Sequence, residues 1–578
     1  MEPHAFSRPA GFHDFDAPQT RQRDDIEASL LRCFAGFGYD AITVPSVEYA
    51  DLYHPARIGD ELYHQLIMAR LAESARFPAD PGSGAARADL PDELAADGDI
   101  SYDVVLRPDL TAPVARMVVT RLQSGAIDLR DPLRLAVSGQ VFRNRSPEGG
   151  ALKELRHVGA ELIGDDGALA DREILDLACS GLASLGGEAE IPDARYAAID
   201  LRLGHARLPD LVLEALGVGA PERPRLQAQL EAFDAYRCRI QRADARSFAR
   251  ALPSLARELL ARLRRQGVAP EQERALVQRL EGGEGDRATP REALQDAWLA
   301  DLECRWRRAK LLPEAGITAL LGLARLEAEV VTIRAALQET LPPGPARAAV
   351  LAIVDELEAL AHAPDASRRV LRQASVAPFM QRGLGYYSGF VFELHAPAPG
   401  SLHTRLCGGG RYGDLYDWIY ERARQTQRLR SGAAPGDGAP SAPQSLTSVG
   451  LAFGLDRLTE WASVRREDLR RPGGVVVLPG SQEEGLRAYA LAAILRAQGA
   501  RVLLARPAPI PDVSARDRVV EGARVAGERF VVLVQADRLE LIDLAPDHSL
   551  LAPRSVRQDE LLDILTDVAA SRVEPREG

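Results

Sequence analysis

A carboxylate and a hydroxyl stand two residues apart in Leu106-Arg107-Pro108-Asp109-Leu110-Thr111-Ala112-Pro113. In extended backbone that spacing puts Asp109 and Thr111 on one face, an arrangement suited to an ammonium group. A second block runs Val141-Phe142-Arg143-Asn144-Arg145 into the Gly149-Gly150 loop, and returns as Arg156-His157-Val158-Gly159-Ala160-Glu161-Leu162-Ile163-Gly164. It reads as two strands around a Gly-rich loop, with Arg143 able to grip a phosphate and Glu161 able to turn toward Asp109. Two acids and a hydroxyl in one pocket would suit the α-ammonium of an amino acid. Asp-x-Thr is equally a turn motif, and a charged hairpin is equally a solvated surface, so neither block identifies a site by itself.

A third block, Gln381-Arg382-Gly383-Leu384-Gly385-Tyr386-Tyr387-Ser388-Gly389, is followed by Cys407-Gly408-Gly409-Gly410-Arg411-Tyr412. Glycines let backbone approach a ligand, and Tyr387 and Tyr412 offer aromatic walls whose hydroxyls can select an imidazole. The GGGR run matches neither G-x-G-x-x-G nor a Walker A sequence, so mononucleotide motifs are unsupported. The fourth block, Gly450-Leu451-Ala452-Phe453-Gly454-Leu455-Asp456-Arg457, is a strand running into a helix that carries Arg457.

These blocks need elements to hold them. Ile26, Leu30, Leu31 and Phe34 recur at helical spacing before Gly38, which predicts a helix over 21–39 and then an extended AITVPSVEY. Residues 74–99 are rich in Pro, Gly, Ala and Asp without a period and read as a surface insertion. Short strands VVLRPDL, LRLAVSGQVF and HVGAELIG follow, then a helix in DREILDLACSGLASLG. Residues 205–374 turn to long Leu/Ala/Arg/Glu stretches and read as a helical insertion domain. Strand-like sequence resumes afterwards, so 1–204 and 375–462 form one split core, with a flexible loop at 430–445. RREDLRRPGG marks a boundary before 473–578, where buried-strand runs alternate with helices and predict a small α/β domain with a largely parallel sheet.

The chain of 578 residues carries a net charge of −12, which argues against a basic nucleic-acid coat. All but two of its 71 basic residues are arginine, Lys153 and Lys310 being the exceptions, so arginine richness is compositional and only particular positions inform. Cys33, Cys179, Cys238, Cys304 and Cys407 are odd in number and widely spaced, indicating neither a disulfide framework nor a metal site. The start lacks an apolar targeting core and no apolar run is long enough to span a bilayer, so the expected location is the cytoplasm, away from membranes.

Taken in order, the four blocks resemble the class II aminoacyl-tRNA synthetases of the histidyl branch. GFHDFDAP with its helix is similar to the dimer-forming first motif, FRNR…GAELIG to the second, GLAFGLDRL to the third, and RGLGYYSGFVFE with CGGGRY to two histidine signatures. The resemblance implies an α+β fold: an antiparallel-sheet core with a helical insertion, and a C-terminal domain of the anticodon-binding kind. It implies a homodimer, and a histidine pocket made by Asp109, Thr111, Glu161, Tyr387 and Tyr412.

Two kinds of protein share these signatures: histidyl-tRNA synthetase, and its paralogue the regulatory subunit of ATP phosphoribosyltransferase. The synthetases usually read RPEGT where this chain reads RPDLT, and RGLDYY where it has Gly385. They place Glu two residues beyond the phosphate-binding Arg, where this chain has Arg145. The form VFRNRSPEGGALKELRHVGAELIG resembles the regulatory subunit, as does LRLGHARLPDLVLEALG. That resemblance implies a non-catalytic subunit without cofactor or metal, partnered by the catalytic phosphoribosyltransferase in histidine biosynthesis, with Arg143, Arg382 and Arg457 as remnants of an ATP site. Retention of Arg382 and Arg457, and the presence of the C-terminal domain, favour the other implication, a histidine–tRNA ligase using ATP and Mg2+ with Arg143 and Arg382 as catalytic groups. Residues 473–578 hold 13 arginines, no lysine and 16 acids, which argues against tRNA as a partner.

Overall fold

The computed structural model describes residues 8–73, 100–145, 152–185, 199–265, 289–361, 371–383, 385–396, 405–431, 446–462, 475–481, 483–497, 502–505, 513–525, 529–544 and 553–570. The expected insertion at 74–99, most of the loop at 430–445, the Gly149-Gly150 loop of the second block and the boundary RREDLRRPGG lie outside the described residues. The chain divides into two compact units, Met1–Ser463 and Val464–Gly578.

The strands of the first unit are β1 (Asp40–Ile42), β2 (Val47–Tyr49), β3 (Ile67–Glu73), β4 (Ile100–Leu106), β5 (Leu133–Phe142), β6 (Glu154–Ile163), β7 (Ile199–His205), β8 (Leu371–Val376), β9 (Tyr387–His395), β10 (Arg405–Tyr412) and β11 (Ser448–Gly454). Eight form one sheet in the order β1-β5-β6-β11-β10-β9-β7-β8, and β2-β4-β3 form a small second sheet. The expected antiparallel core is present, with parallel pairs only at the two edges, β1 on β5 and β7 on β8. A parallel pair requires a crossover, and the segment between β7 and β8 is the helical insertion itself. β11 is the junction: it pairs with β6 on one side and β10 on the other.

Local chemistry explains the flanking helices. Asp16 caps the helix Ala17–Gly36 and closes a capping box with Gln19, and Gly38 leaves it at φ +84°. Ile26, Leu30 and Phe34 are buried at four-residue spacing, and Phe34 stacks on Phe453 of β11 at 6.3 Å. Gly181, on the helix Ala168–Ser184, leaves room for that contact, since a Cβ there would stand 3.2 Å from Leu30 and 3.1 Å from Phe453.

Seven described helices follow β7, and their inward faces share a core with the sheet, Leu230, Phe233, Leu302 and Trp306 joining Leu201, Leu203, Phe392 and Leu394. Beneath that apolar contact lies a charged layer. Buried Arg202 of β7 donates to Asp234 at 2.9 Å and to Glu327 at 3.2 Å, and Arg237 donates to the same two acids at 2.8 and 2.7 Å. Such pairs hold only if each charge keeps its partners.

In the second unit β12 (Val475–Pro479), β13 (Val502–Leu504), β14 (Phe530–Val534), β15 (Leu539–Asp543) and β16 (Arg554–Val556) are ordered β13-β12-β14-β15-β16. The expectation of a largely parallel sheet holds for β13, β12 and β14 only, because β15 and β16 are antiparallel. The reason is a tight turn at Gln535–Arg538, whose Gln535 N–H bonds the Arg538 carbonyl at 3.0 Å and folds LELID back on β14. Among the described residues no helix is long and apolar enough to cross a membrane.

Candidate functional site

Asp109 is positioned by a buried arginine. Arg107 donates to the carbonyls of Val44, Pro45 and Gln140 at 2.6, 2.9 and 2.8 Å, which fixes the turn between β4 and the next helix. Gly139 makes room for it, since a Cβ there would stand 2.0 Å from a guanidinium nitrogen. Asp109 and Thr111 do not lie on extended backbone as their spacing suggests. Thr111 begins the helix Thr111–Gln123 and Asp109 Oδ1 accepts from the Ala112 N–H at 3.1 Å, so the aspartate caps that helix. The cap still delivers both side chains to one place.

There Thr111 Oγ1 donates to Glu161 Oε1 at 2.9 Å and the Tyr412 hydroxyl donates to Glu161 Oε2 at 2.6 Å. Glu161 is buried on β6 opposite Gly450 of β11, where a Cβ would come within 1.7 Å of its carboxylate. Burial pushes Glu161 up to about 7 against the lowering effect of its Tyr412 and Thr111 hydrogen bonds, and the nearby Asp109 raises it further. Asp109 is raised by burial too, and its Oδ2 has no hydrogen-bond partner among the described residues. An acceptor buried without a donor is costly, and an ammonium group would supply one.

The walls are aromatic. Tyr387 and Tyr412 meet edge to face at 6.4 Å, with Tyr386 packed between them at 5.0 and 5.4 Å. Arg382 donates to the Tyr387 hydroxyl at 2.7 Å and lies over its ring at 5.4 Å. Gly408 permits this, as a Cβ there would stand 2.8 Å from the guanidinium. The five residues expected to form a histidine pocket are therefore brought together, with Arg382 at their edge.

Arg143 connects this acidic end to a cationic one. Its Nε donates to the Pro108 carbonyl at 3.0 Å, beside Asp109, and burial with repulsion from Arg145 draws it down to about 9. Arg457 is drawn down to about 9 by burial and by Arg405, Arg145 and Arg143. His157 sits among the four. Burial, and then Arg143, Arg457, Arg145 and Arg405, hold its imidazole well below the usual range. Arg145 Nε donates to Gln65 at 2.9 Å, and Lys153, just before β6, donates to Asn144 at 2.9 Å. Cationic charge at this density, drawn from three elements, suits a polyphosphate.

Arg405 was not legible in the sequence. Its role comes from its ion pair with Glu393 and from its carbonyl, which accepts from Arg457 at 3.2 Å. Gly450 was readable only as a strand glycine, because its clearance for Glu161 depends on cross-strand register. Arg411 of the GGGR run leaves the pocket altogether and binds Asp171 at 2.6 Å.

One trio has metal-ligand chemistry. Cys238, Glu393 and His395 are buried with donor atoms within 4.8 Å of one another. The same atoms are already engaged by cations. Arg202 stands 3.5 Å from Glu393, Arg405 pairs with Glu393, and Arg242 donates to the Cys238 sulfur at 3.5 Å. A divalent cation would meet three guanidiniums there, so the trio fits an ionic network better than a metal.

Known proteins resemble this chain in sequence and in fold. The histidine–tRNA ligase of Methanocaldococcus jannaschii is 28% identical over 40% of this chain, and the match spans 45% of the ligase's length. An ATP phosphoribosyltransferase regulatory subunit of Anaeromyxobacter dehalogenans is 27% identical over 71% of this chain and 84% of its own. The crystal structure of histidyl-tRNA synthetase from Nostoc sp. PCC 7120 superposes with a TM-score of 0.58 at 16% identity, covering 98% of this chain and 100% of that one, which speaks to the fold. The family model described as Histidyl-tRNA synthetase matches residues 101–282 and 270–427, a span that contains Asp109, Glu161, Tyr387 and Tyr412. The chain thus belongs to the histidyl-tRNA synthetase family, whose relatives include both ligases and phosphoribosyltransferase regulatory subunits.

Proposed function

We propose that this chain is a non-catalytic regulatory subunit of ATP phosphoribosyltransferase, which binds histidine, supports the activity of the catalytic subunit and transmits histidine feedback to it in histidine biosynthesis. The observation that carries the reading is Arg145. Where the synthetases place a glutamate for ATP, this chain adds a guanidinium to a cluster already holding Arg143, Arg405 and Arg457. Glu393, the acid paired with Arg405, is also engaged by Arg202 and His395. Adenylation needs acids for Mg2+ as well as cations for phosphate, and the cluster offers mainly the cations. Glu161 and Asp109 take the ammonium of histidine in this reading, and Tyr387 and Tyr412 flank its ring. The subunit works as a cytoplasmic homodimer within a hetero-oligomer and uses no ATP, Mg2+ or tRNA of its own.

The relative from Anaeromyxobacter dehalogenans supports this by name. The second reading, a histidine–tRNA ligase, is favoured by Arg382 and Arg457 standing where the ligases keep catalytic and phosphate-binding arginines, and by the ligase from Methanocaldococcus jannaschii. Histidine-dependent exchange of pyrophosphate into ATP separates the two. The regulatory reading expects background exchange, together with activation of a short catalytic phosphoribosyltransferase on mixing. Robust exchange, or no association at micromolar concentration, overturns it.

A further inference from the structure

A cavity of about 230 Å3 opens where the helical insertion meets the sheet, away from the histidine pocket, lined by Asp200, Arg237, Gln241, Arg242, Arg325 and Glu327 among others. Its floor is already neutralised. Glu327 accepts from Arg202, Arg237 and Arg242, and burial, which alone would raise its carboxyl, is outweighed by those three guanidiniums. The floor thus has little left to offer a ligand.

The rim differs. Asp200, at the start of β7, is 31% exposed and has Arg242 only at 3.8 Å, beyond hydrogen-bond length. Arg325, the last residue of the helix Glu314–Arg325, is 50% exposed, with Asp296 at 3.4 Å on an exposed contact. Gln241 adds an exposed amide. An accessible carboxylate and an accessible guanidinium on one small cavity call for a ligand bearing both an ammonium and a carboxylate.

Position gives the cavity further interest. Arg242 of its wall donates to Cys238 at 3.5 Å, Cys238 lies 3.8 Å from His395, His395 bonds Glu393 at 3.0 Å, and Glu393 pairs with Arg405 of the arginine cluster. Burial alone would raise the Cys238 thiol, but Arg202, His395 and Arg242 draw it down to about 7, so charged groups run continuously from cavity to cluster.

We propose that this cavity is a second binding site, specific for a free amino acid, whose carboxylate is taken by Arg325 and whose ammonium is taken by Asp200. It is independent of the pocket at Glu161 and of which reading of the function holds. The test is calorimetric titration of the full chain with each of the twenty amino acids and with inorganic phosphate, on the unmodified protein and on Glu161→Gln, Arg325→Gln and Asp200→Asn. At least one amino acid is expected to bind Glu161→Gln as it binds the unmodified chain, and to lose about tenfold or more in affinity with each of the two rim substitutions. Three results overturn the proposal: no amino acid binding survives Glu161→Gln; the surviving binding ignores both rim substitutions; or phosphate binds through Arg325 without regard to Asp200. Both rim residues are partly exposed, so neither substitution removes a core contact.

Discussion

The Thr111 hydroxyl and the Glu161 carboxylate meet at 2.9 Å, one at the head of a helix and the other near the C-terminal end of β6. The contact holds Glu161 in place although burial disfavours its charge. In the unfolded chain this glutamate ionises near 4.5, and in the fold near about 7. Between those values the folded protein binds the extra proton, so stability falls as pH rises from about 4.5 to about 7. The loss amounts to about 3 kcal/mol at most. Denaturant unfolding across that range is expected to show the slope, and Glu161→Gln to flatten it.

Binding of an ammonium-bearing ligand requires Glu161 to be ionised, so affinity for histidinol, which lacks the carboxylate, is expected to rise with pH up to about 7 by nearly tenfold per unit. Glu161→Gln should weaken binding and remove the part of this dependence that comes from the protein. Calorimetry at fixed ionic strength reads both.

Gly450→Ala places a methyl 1.7 Å from the Glu161 carboxylate and 3.0 Å from the Ala160 carbonyl. The side-chain tip must leave its Tyr412 and Thr111 partners, so ligand affinity is expected to collapse while the fold loses about 1–3 kcal/mol. Unchanged binding with unchanged stability would contradict the assignment of Gly450 as clearance.

His157 is kept neutral by burial and four neighbouring arginines. Inorganic triphosphate in the cluster would offset their charge, so the imidazole is expected to titrate at higher pH in its presence. Proton resonances of the ring, assigned with His157→Gln, give the measurement; a titration that ignores saturating triphosphate would place the anion elsewhere.

Arg202 joins Asp234, Glu327 and Glu393 beneath the insertion with 2% of its side chain exposed. Arg202→Met leaves those acids short of a cation and is expected to cost about 3–5 kcal/mol in denaturant unfolding. Exposed pairs such as Arg70 with Asp103 should cost little on the same substitution.

Much of this was legible in one dimension. The strand LRLAVSGQVF appears at its predicted ends, because alternation and a following loop specify a hairpin strand locally. The helical character of the insertion follows from apolar period, and the pocket acids follow from their blocks. Asp109 was misread in conformation, since a residue that caps a helix and one that extends a strand share the same Asp-x-Thr spacing. Arg405 was passed over because its meaning comes from Glu393 on the neighbouring strand, and Gly450 read only as a strand glycine because its clearance serves Glu161, on a strand far away in sequence. The turn at Gln535–Arg538 was missed because a short buried strand looks alike in either direction.

The place of β11 between β6 and β10 bears on how the protein is made. Asp109, Thr111 and Glu161 emerge early in synthesis, Arg382, Tyr387 and Tyr412 much later, and Ser448–Gly454, which joins the two half-sheets, later still. A nascent chain therefore carries its binding groups on two half-sheets that no strand joins until Ser448–Gly454 has been translated, and the edges of β6 and β10 that β11 covers stay unpaired until then. Ligand cannot guide the early steps of folding. It can only reward the last one, when a single strand closes the sheet and completes the pocket together.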